Sequence, residues 1–446
     1  MTASAGAIAS ASGRVGGVGA VIKTERSHKS AAAPRRRLLL LTPFSPRLDA
    51  THGGARSIAQ LVSRLADRHD VALLCVRADD DPPVDDVLRG RCQLVEEFVR
   101  RGVGRTWKER WFRRTRLLTA LVKGRPTWVA DLHVAEFAVR ARQVAETWSP
   151  DVIQMEFHVM AQYRPALASS PAPVVLTQHE PGSAASLETV ALHRGMMRAI
   201  HWLDARAWRR FERRALPTVD AVVTFTERDR REVLRVQPNA SVTCIPLAAE
   251  VPSQPLSAAG SRPASIVFIG NFVHPPNVDA ATRLVVDIFP RLEHSHPKSI
   301  LYIVGERPPR ELARRSRARV IVAGRVPDVT PYLDAAAVIA VPIRMGGGIR
   351  VKVLEALSAG KAVVASSRAL EGLDVVDGEH ALVAETDAEF ADAIGRLLAD
   401  RDLRVALARR AREWACTNVR WERSIEAYEA LYDRLLAQDH RSLAGI

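Results

Sequence analysis

Long apolar runs are missing from the 446-residue sequence. No segment reaches the roughly 18 apolar residues of a membrane-spanning helix, and the N-terminal residues lack the apolar core of a secretory signal. We therefore expect a protein of the cytoplasm. Residues 1–34 are rich in Ala, Ser and Gly and show neither helical nor strand periodicity, which predicts a disordered N-terminal tail.

Cysteine is also scarce. The four cysteines, Cys75, Cys92, Cys244 and Cys416, stand alone without C-x-x-C spacing, which argues against a zinc site or a disulfide framework. Neither the Walker nor the G-x-G-x-x-G spacing of the common nucleotide loops is present. The acidic run at residues 79–81 lies in a Pro-containing loop and is typical of solvated carboxylates, so no metal site is expected.

Positive charge is in excess, with 64 Lys and Arg against 50 Asp and Glu. Residues 100–125 contain eight arginines and two lysines but one acid, Glu109, and two tryptophans and a phenylalanine are interleaved. This composition is typical of a helix on an anionic membrane surface, and residues 194–216 repeat it. A membrane or lipid-linked substrate and a merely solvated helix face both stay open. Nucleic acid is not expected as a partner, because no binding signature accompanies the charge.

Apolar, strand-like runs alternate with amphipathic helical stretches from Leu38 onward, which is the pattern of repeated β-α units around parallel sheets. A Pro-rich segment without periodicity at residues 250–264 predicts an interdomain linker. We expect an α/β fold of two doubly wound, Rossmann-like domains, residues 35–249 and 265–420, that face a central cleft. Residues 421–437 form an amphipathic helix whose apolar stripe must be buried.

One glycine-rich passage has the character of a ligand site. The sequence GGGIRVKVLEALSAGKAVVASSRALEGL, residues 346–373, combines three glycines with Arg350, Lys352 and Glu355 after an apolar strand. A helix is predicted from about Val351 to Ser358. Helix N-termini carry unpaired N–H groups and glycines let an anion approach the backbone, so the passage suits a phosphate. A glycine-rich turn with solvated basic residues is the alternative.

Six passages in a fixed order carry a family resemblance: HGGA after the first strand, GNFVHPPNVDAA, IVGE, AGRVPDV, the glycine-rich passage and LLADRDLRVALARRAREWA. Together they make the chain from about Arg37 to Leu436 resemble the family-4 glycosyltransferases of GT-B fold. The resemblance implies transfer of a sugar from a nucleoside-diphosphate donor with retention of anomeric configuration. It also implies that the helix at residues 421–437 crosses back onto the first domain.

The resemblance assigns roles to individual residues. Glu355 matches the glutamate that holds the donor's ribose hydroxyls, and His179 matches a cleft histidine near the reacting carbon. Gly53 and Gly54 match glycines that close over the diphosphate. The other donor-binding candidates are Gly270, Asn271, Asn277, Gly305, Glu306, Arg325, Val326, Gly346, Gly347, Gly348, Ile349 and Leu354, with Arg325 and Val326 at the nucleobase.

Two departures from the family pattern change what the site must do. The family's second glutamate, eight residues before Glu355, is replaced by Gly347, so we expect backbone N–H groups of residues 347–349 to bind the sugar. The family's Arg and Lys after the first strand of the second domain are absent, because GNFVHPPN offers only asparagines and a histidine. We therefore expect Arg350 and Lys352 to supply charge for the departing diphosphate, and we predict both, with His179, as catalytic residues.

The resemblance further implies metal-independent chemistry without a cofactor beyond the nucleotide-sugar donor, in which the leaving phosphate helps take the acceptor's proton. We expect a glycan or lipid-linked acceptor of surface-polysaccharide or glycoconjugate biosynthesis, used in the cytoplasm or on the inner face of the membrane. Two alternatives stay open. One is a catalytically silent nucleotide-sugar-binding or scaffold protein, which Gly347 would suit, and the other is a nucleotide-sugar epimerase of similar fold.

Overall fold

The computed structural model describes residues 34–50, 53–100, 106–262, 264–346 and 351–444, the last six of them without their side chains. The predicted disordered tail lies outside the described residues, apart from Pro34. From Arg35 onward the described residues form one compact unit.

The first sheet has seven strands within the described residues, all parallel, in the order β3-β2-β1-β4-β5-β6-β7. Its central strands are buried on both faces, which is why they read as continuous apolar runs in the sequence. The strands are β1 Arg37–Thr42, β2 Asp70–Ala78, β3 Leu94–Arg100, β4 Val152–Glu156, β5 Val174–Gln178, β6 Ala221–Thr224 and β7 Val242–Cys244.

The second sheet has six parallel strands within the described residues, in the order β10-β9-β8-β11-β12-β13. In each sheet the strand order reverses once, between β1 and β4 and between β8 and β11, and such switch points open a crevice at the strands' carboxyl ends. The predicted α/β fold of two doubly wound halves is confirmed. The strands are β8 Ser265–Ile269, β9 Ile300–Val304, β10 Val320–Gly324, β11 Val338–Val341, β12 Val363–Ala365 and β13 Leu382–Val383.

Helices cover the faces of both sheets. The helix predicted after the glycine-rich passage is found at the predicted residues. The α-helices are α1 Gly53–Arg68, α2 Asp86–Arg91, α3 Trp107–Val122, α4 Thr127–Asp131, α5 Ala135–Thr147, α6 Gly182–Leu192, α7 Gly195–Ala215, α8 Glu227–Val236, α9 Pro275–Arg283, α10 Phe289–Ser295, α11 Arg310–Ala313, α12 Thr330–Ala335, α13 Val351–Ser358, α14 Ser367–Leu370, α15 Asp387–Ala399, α16 Arg401–Asn418 and α17 Trp421–Ala444. Shorter 3-10 turns lie at His158–Leu167 and Leu216–Thr218, and a π-helical turn lies at Leu284–Ile288.

The last helix belongs to the first hydrophobic core. Its apolar stripe is buried against β1, β4 and α1, so the crossing back of the chain is confirmed; the stripe consists of Trp421, Ile425, Tyr428, Leu431, Tyr432 and Leu435. The predicted linker, in contrast to α17, packs on the second domain. The N–H of Leu256 in the linker donates to the carbonyl oxygen of Ala359 at 2.9 Å. The residue borders of the two domains stay predictions.

Two edge strands were not expected from the sequence. β3 is half-buried along its whole length and carries Glu96 and Glu97, so it lacks the apolar continuity that marks the central strands. β13 has only two residues. Among the described residues, no helix is both long and apolar enough to cross a bilayer.

Candidate active site

Three glycines form the floor of the cleft where strands β8, β9 and β10 end. Gly305 has a φ of 145°, and a Cβ built on it would lie 1.8 Å from the carbonyl oxygen of Gly270, so only glycine fits. The N–H of Gly305 donates to the carbonyl oxygen of Gly324 at 2.8 Å. The structure thus brings the predicted Gly270 and Gly305 into direct contact.

The ammonium of Lys352 lies beside these glycines, next to the side chain of Asn277. Asn277 of α9 donates from Nδ2 to the carbonyl oxygen of Asn271 at 2.6 Å, and its Oδ1 accepts from Nζ of Lys352. The ammonium of Lys352 also lies 4.9 Å from the ring centroid of Phe268. Three predicted residues therefore meet at the start of α13, where Lys352 adds full positive charge.

Helices α1 and α13 begin next to each other, one on each sheet. A Cβ built on Gly53 would lie 3.5 Å from Val351. Arg56, in the first turn of α1, forms an ion pair with Glu355 of α13, and the two side chains are 26% and 28% exposed. Burial raises the pKa of Glu355, while the charges of Arg56 and Lys352 oppose that rise. The carboxylate predicted to bind a ribose thus has an arginine partner from the first domain.

His179 follows β5 and is fixed on three sides. Its Nε2 lies 2.7 Å from Oε2 of Glu156. Its ring stacks on Phe157 with a centroid separation of 3.9 Å, and Phe225 meets its edge at 4.8 Å. Because a carboxylate accepts hydrogen bonds, the contact with Glu156 suits Nε2 as the ring's donor and fixes the orientation of the ring.

Glu156 is held from behind by buried polar side chains. Gln154 donates from Nε2 to Oε1 of Glu156, and the hydroxyl of Tyr432 in α17 donates to Oε1 of Gln154. Phe157, which follows Glu156, has a φ of 70°, a strained backbone conformation that concentrates at functional sites. The cavity beside Glu156 and His179 has a volume of about 10 Å³, enough for roughly one water molecule. Among the described residues, the space beside His179 is therefore little larger than a water molecule.

Glu188 of α6 connects the first domain to the glycine-rich passage. One carboxylate oxygen accepts from Arg228 at 2.7 Å and from Arg368, and the other accepts from the backbone N–H of Gly346 at 2.6 Å. Burial alone would raise the pKa of Glu188, but the hydrogen bonds from both arginines outweigh burial and lower it. Glu371 accepts from the same two arginines at 3.1 and 2.9 Å. Two carboxylates and two arginines thus hold the domains together beside the site.

The remaining predicted residues differ in their surroundings. Leu354 is fully buried in the second core, so its side chain packs within the protein, and Val326 packs partly buried against the same core. Arg325 lies within electrostatic range of Asp49, across the cleft. Glu306 lies at the end of β9, with its carboxylate 3.5 Å from the guanidinium of the next residue.

Four predicted residues, Gly347, Gly348, Ile349 and Arg350, lie outside the described residues. The sugar contacts expected of their backbone and the charge expected of Arg350 therefore stay predictions. Gly54 lies beside Gly53 at the start of α1.

Three charged residues of the site were not predicted from the sequence. Arg56 directly follows HGGA at the start of α1, and Glu156 is the last residue of β4, so a helix start and a strand carboxyl end at the cleft could have singled them out. Glu188 lies within a helix, where nothing in the local sequence distinguishes it from a solvated glutamate.

Known proteins share this architecture. The Glycosyltransferase Family 4 profile matches residues 51–250, and the Glycosyl transferases group 1 profile matches residues 263–400. Sucrose-phosphate synthase from Thermosynechococcus elongatus has a TM-score of 0.66 at 20% identity, over 91% of this chain and 100% of that chain. Anabaena HepE, in complex with UDP and glucose, has a TM-score of 0.61 at 14% identity, over 92% and 100%. A mutant of TarM from S. aureus, in complex with fondaparinux, alpha-GlcNAc-glycerol and UDP, has a TM-score of 0.60 at 11% identity, over 89% and 99%.

A curated relative has a higher sequence identity than these structures, but over a shorter segment. An uncharacterized glycosyltransferase of Methanocaldococcus jannaschii is 30% identical over 95 residues, which span 20% of this chain and 24% of that protein. Two facing doubly wound sheets with a final helix that returns to the first sheet define a glycosyltransferase fold of the GT-B class. Within that class, the two profile matches place the protein: the chain belongs to the family-4 glycosyltransferases.

Proposed function

We propose that the protein transfers a sugar from a nucleoside-diphosphate sugar to a glycan or lipid-linked acceptor, with retention of anomeric configuration and without a metal ion. The observation that carries the proposal is the position of Glu355 beside Lys352, where α1 and α13 begin. Two carboxylate oxygens suit the two hydroxyls of a ribose, and two helix N-termini with an ammonium suit a diphosphate. The UDP in the HepE and TarM complexes supports this donor class.

In the proposed reaction, the hydroxyl oxygen of the acceptor bonds to the anomeric carbon as the bond from that carbon to the diphosphate breaks. The hydroxyl proton passes to the departing phosphate oxygen on the same face, which yields a glycoside and a nucleoside diphosphate. Lys352 and the helix N-termini offset the charge that develops on the diphosphate. His179, oriented by Glu156, positions the donor sugar. Trapping a covalent glycosyl-enzyme would contradict this mechanism.

A thermal-shift screen against UDP, GDP, dTDP, CMP and their sugar conjugates tests the donor. A ligand at about 100 times its Kd stabilises the native state by about 2.7 kcal/mol, which raises the Tm by several degrees. We expect one nucleoside diphosphate to raise the Tm of the wild type but not that of Glu355→Ala. Glu379→Ala, a change at an exposed glutamate of the second domain, should keep the shift.

The outcomes separate the candidate functions. No shift with any nucleotide would contradict the proposed donor. A shift without donor hydrolysis or sugar transfer would favour a silent nucleotide-sugar-binding protein.

For the acceptor, we propose that α3 brings the protein to an anionic membrane surface carrying a lipid-linked acceptor of surface-polysaccharide or glycoconjugate biosynthesis. Trp107 and Trp111 are 72% and 53% exposed, and they share one helix face with the exposed Leu118 and Val122. The basic side chains of Arg110 and Arg114 border this face and are exposed. An exposed stripe of tryptophans and aliphatic residues bordered by basic side chains suits a lipid headgroup region.

Some of the arginines in residues 100–125 stabilise the fold through ion pairs. The buried carboxylate of Asp131 forms ion pairs with Arg100, Arg113 and Arg116. These contacts fix α3 on the protein with its apolar stripe outward. Co-sedimentation with phosphatidylglycerol vesicles, but not with phosphatidylcholine vesicles, should be lost in the double variant Trp107→Ala, Trp111→Ala and weakened by salt. Equal binding by the double variant would contradict a role for α3.

A further inference from the structure

Arg56 forms an ion pair with Glu355, the carboxylate proposed to bind the ribose of the donor. This inference rests on the proposed function, because it concerns how a nucleoside diphosphate reaches Glu355. The guanidinium of Arg56 pairs with Oε1 of Glu355, and its second hydrogen bond to a described residue is a long one, 3.4 Å, to the carbonyl oxygen of Ala50. If the ribose hydroxyls take Glu355, Arg56 loses its ionic partner inside a partly buried cleft.

A partly buried cation without a partner is costly, so a displaced Arg56 requires another anion. A nucleoside diphosphate brings such an anion with it, because its diphosphate is covalently bonded to the ribose. Arg56 extends from the first turn of α1, whose start lies against Val351 at the start of α13. Its planar guanidinium has five N–H donors and binds phosphate oxygens in pairs, which a lysine does not.

The neighbouring loop supplies little charge of its own. Residues 270–277, after β8, contribute the asparagines Asn271 and Asn277 and a single histidine, and Lys352 is the cation that the second domain places there among the described residues. A diphosphate carries at least two negative charges. Arg56 is positioned to add a cation from the first domain to Lys352 and to Arg350, whose charge at the diphosphate stays a prediction.

We propose that Arg56 exchanges partners during donor binding: it pairs with Glu355 in the donor-free protein and with the diphosphate in the complex. Arg56 then has two opposite effects. It weakens binding of the ribose by competing for Glu355, and it strengthens binding of the diphosphate by forming an ion pair with it. Arg56 would thus add to the preference for a nucleoside diphosphate over the matching nucleoside that Lys352 and the helix N-termini provide.

Isothermal titration of both ligands tests the exchange. The probes are UDP, GDP and dTDP, each paired with its nucleoside. In Arg56→Ala, the Kd for the nucleoside diphosphate that the wild type binds should rise roughly 10- to 100-fold, the range expected for a charge-assisted hydrogen bond. The matching nucleoside should bind at least as tightly as it binds the wild type. Arg56→Lys, which keeps the charge but not the fork of donors, should fall between the two.

Arg64→Ala is the matched control, because Arg64 lies on the same helix and forms an exposed ion pair with Glu250. It should leave both affinities unchanged. Unchanged diphosphate affinity in Arg56→Ala would overturn the exchange, and so would an equal loss for nucleoside and diphosphate, which marks a structural role. If the wild type binds none of the three diphosphates, the proposed function fails as well, whereas wild-type binding with an unaffected Arg56→Ala overturns the exchange alone.

Discussion

At the residue scale, His158 is a neutral histidine enclosed by aromatic rings. It lies between Trp128 and Trp208, at centroid distances of 5.2 and 4.6 Å, and hydrogen-bonds the backbone of Glu180. Burial, with a smaller effect of the nearby His179, lowers its pKa to about 3. The folded pKa lies below the unfolded one, so the stability that this histidine supports is complete above about pH 6.5 and is lost as pH falls toward 3.

We predict that His158 makes the fold sensitive to acid. Between pH 7 and pH 5, the free energy of unfolding of the wild type should fall by about 2 kcal/mol more than that of His158→Phe, because only the unfolded histidine gains a proton. Urea unfolding at both pH values measures the difference. His294→Phe, at an exposed position, should keep the wild-type slope. Equal pH slopes for the wild type and His158→Phe would show that the buried ring titrates normally.

The residues of the site differ in how far the sequence predicts them. Gly270 and Gly305 could be predicted, because glycines at the ends of apolar strands mark the crevice of a doubly wound sheet. The pairing of Arg56 with Glu355 joins residues 299 positions apart. Nothing local in one sequence encodes such a contact, since it exists only when two domains close on each other.

At the scale of elements, a strand can be recognised in the sequence when both of its faces are buried, because its residues are then continuously apolar. β1, β4 and β5 are buried on both faces and could be recognised as short apolar runs. β3 is an edge strand whose residues are all half-buried, and its apolar residues come in pairs on either side of Glu96 and Glu97, which resembles helical spacing more than the alternation of a strand. The edge of a sheet is therefore where sequence patterns fail first.

Helix α17 is an element of the first domain although it follows the second sheet in the sequence. We predict that Leu431→Ala, which empties a fully buried position of the first core, lowers the free energy of unfolding by about 2–5 kcal/mol. Hydrogen exchange should show the loss of protection in β1 and β2 and not in β8 and β9. Arg423→Ala, on the exposed side of the same helix, should change stability by less than about 0.5 kcal/mol. Loss of protection in β8 would place α17 with the second domain instead.

At the scale of the whole molecule, closure of the two domains depends on charge. Glu188 is bonded to Arg228 on its own side of the cleft and to Arg368 and the N–H of Gly346 on the other. We predict that Glu188→Gln weakens closure by about 1–3 kcal/mol, because two arginines then share the remaining Glu371. Small-angle X-ray scattering of the ligand-free variant should show a larger radius of gyration.

The matched control for this change is Glu413→Gln. Glu413 pairs with Arg409 four residues earlier in the same helix, so its ion pair does not join the domains. We expect the control to keep the wild-type radius. A variant at Glu188 that stays as compact as the control would mean that the ion pairs do not hold the cleft closed.

The position of α17 also bears on the order in which the chain folds during its synthesis. The strands of the first sheet leave the ribosome early, but the helix that completes their core is made only after the second sheet. At about 5–20 residues per second, the roughly 200 residues after β7 take on the order of 10–40 s to translate. The second domain is contiguous and can fold within that interval. The domain that is synthesised first is thus completed only after the second has been made, and its apolar sheet face stays uncovered until α17 has been translated.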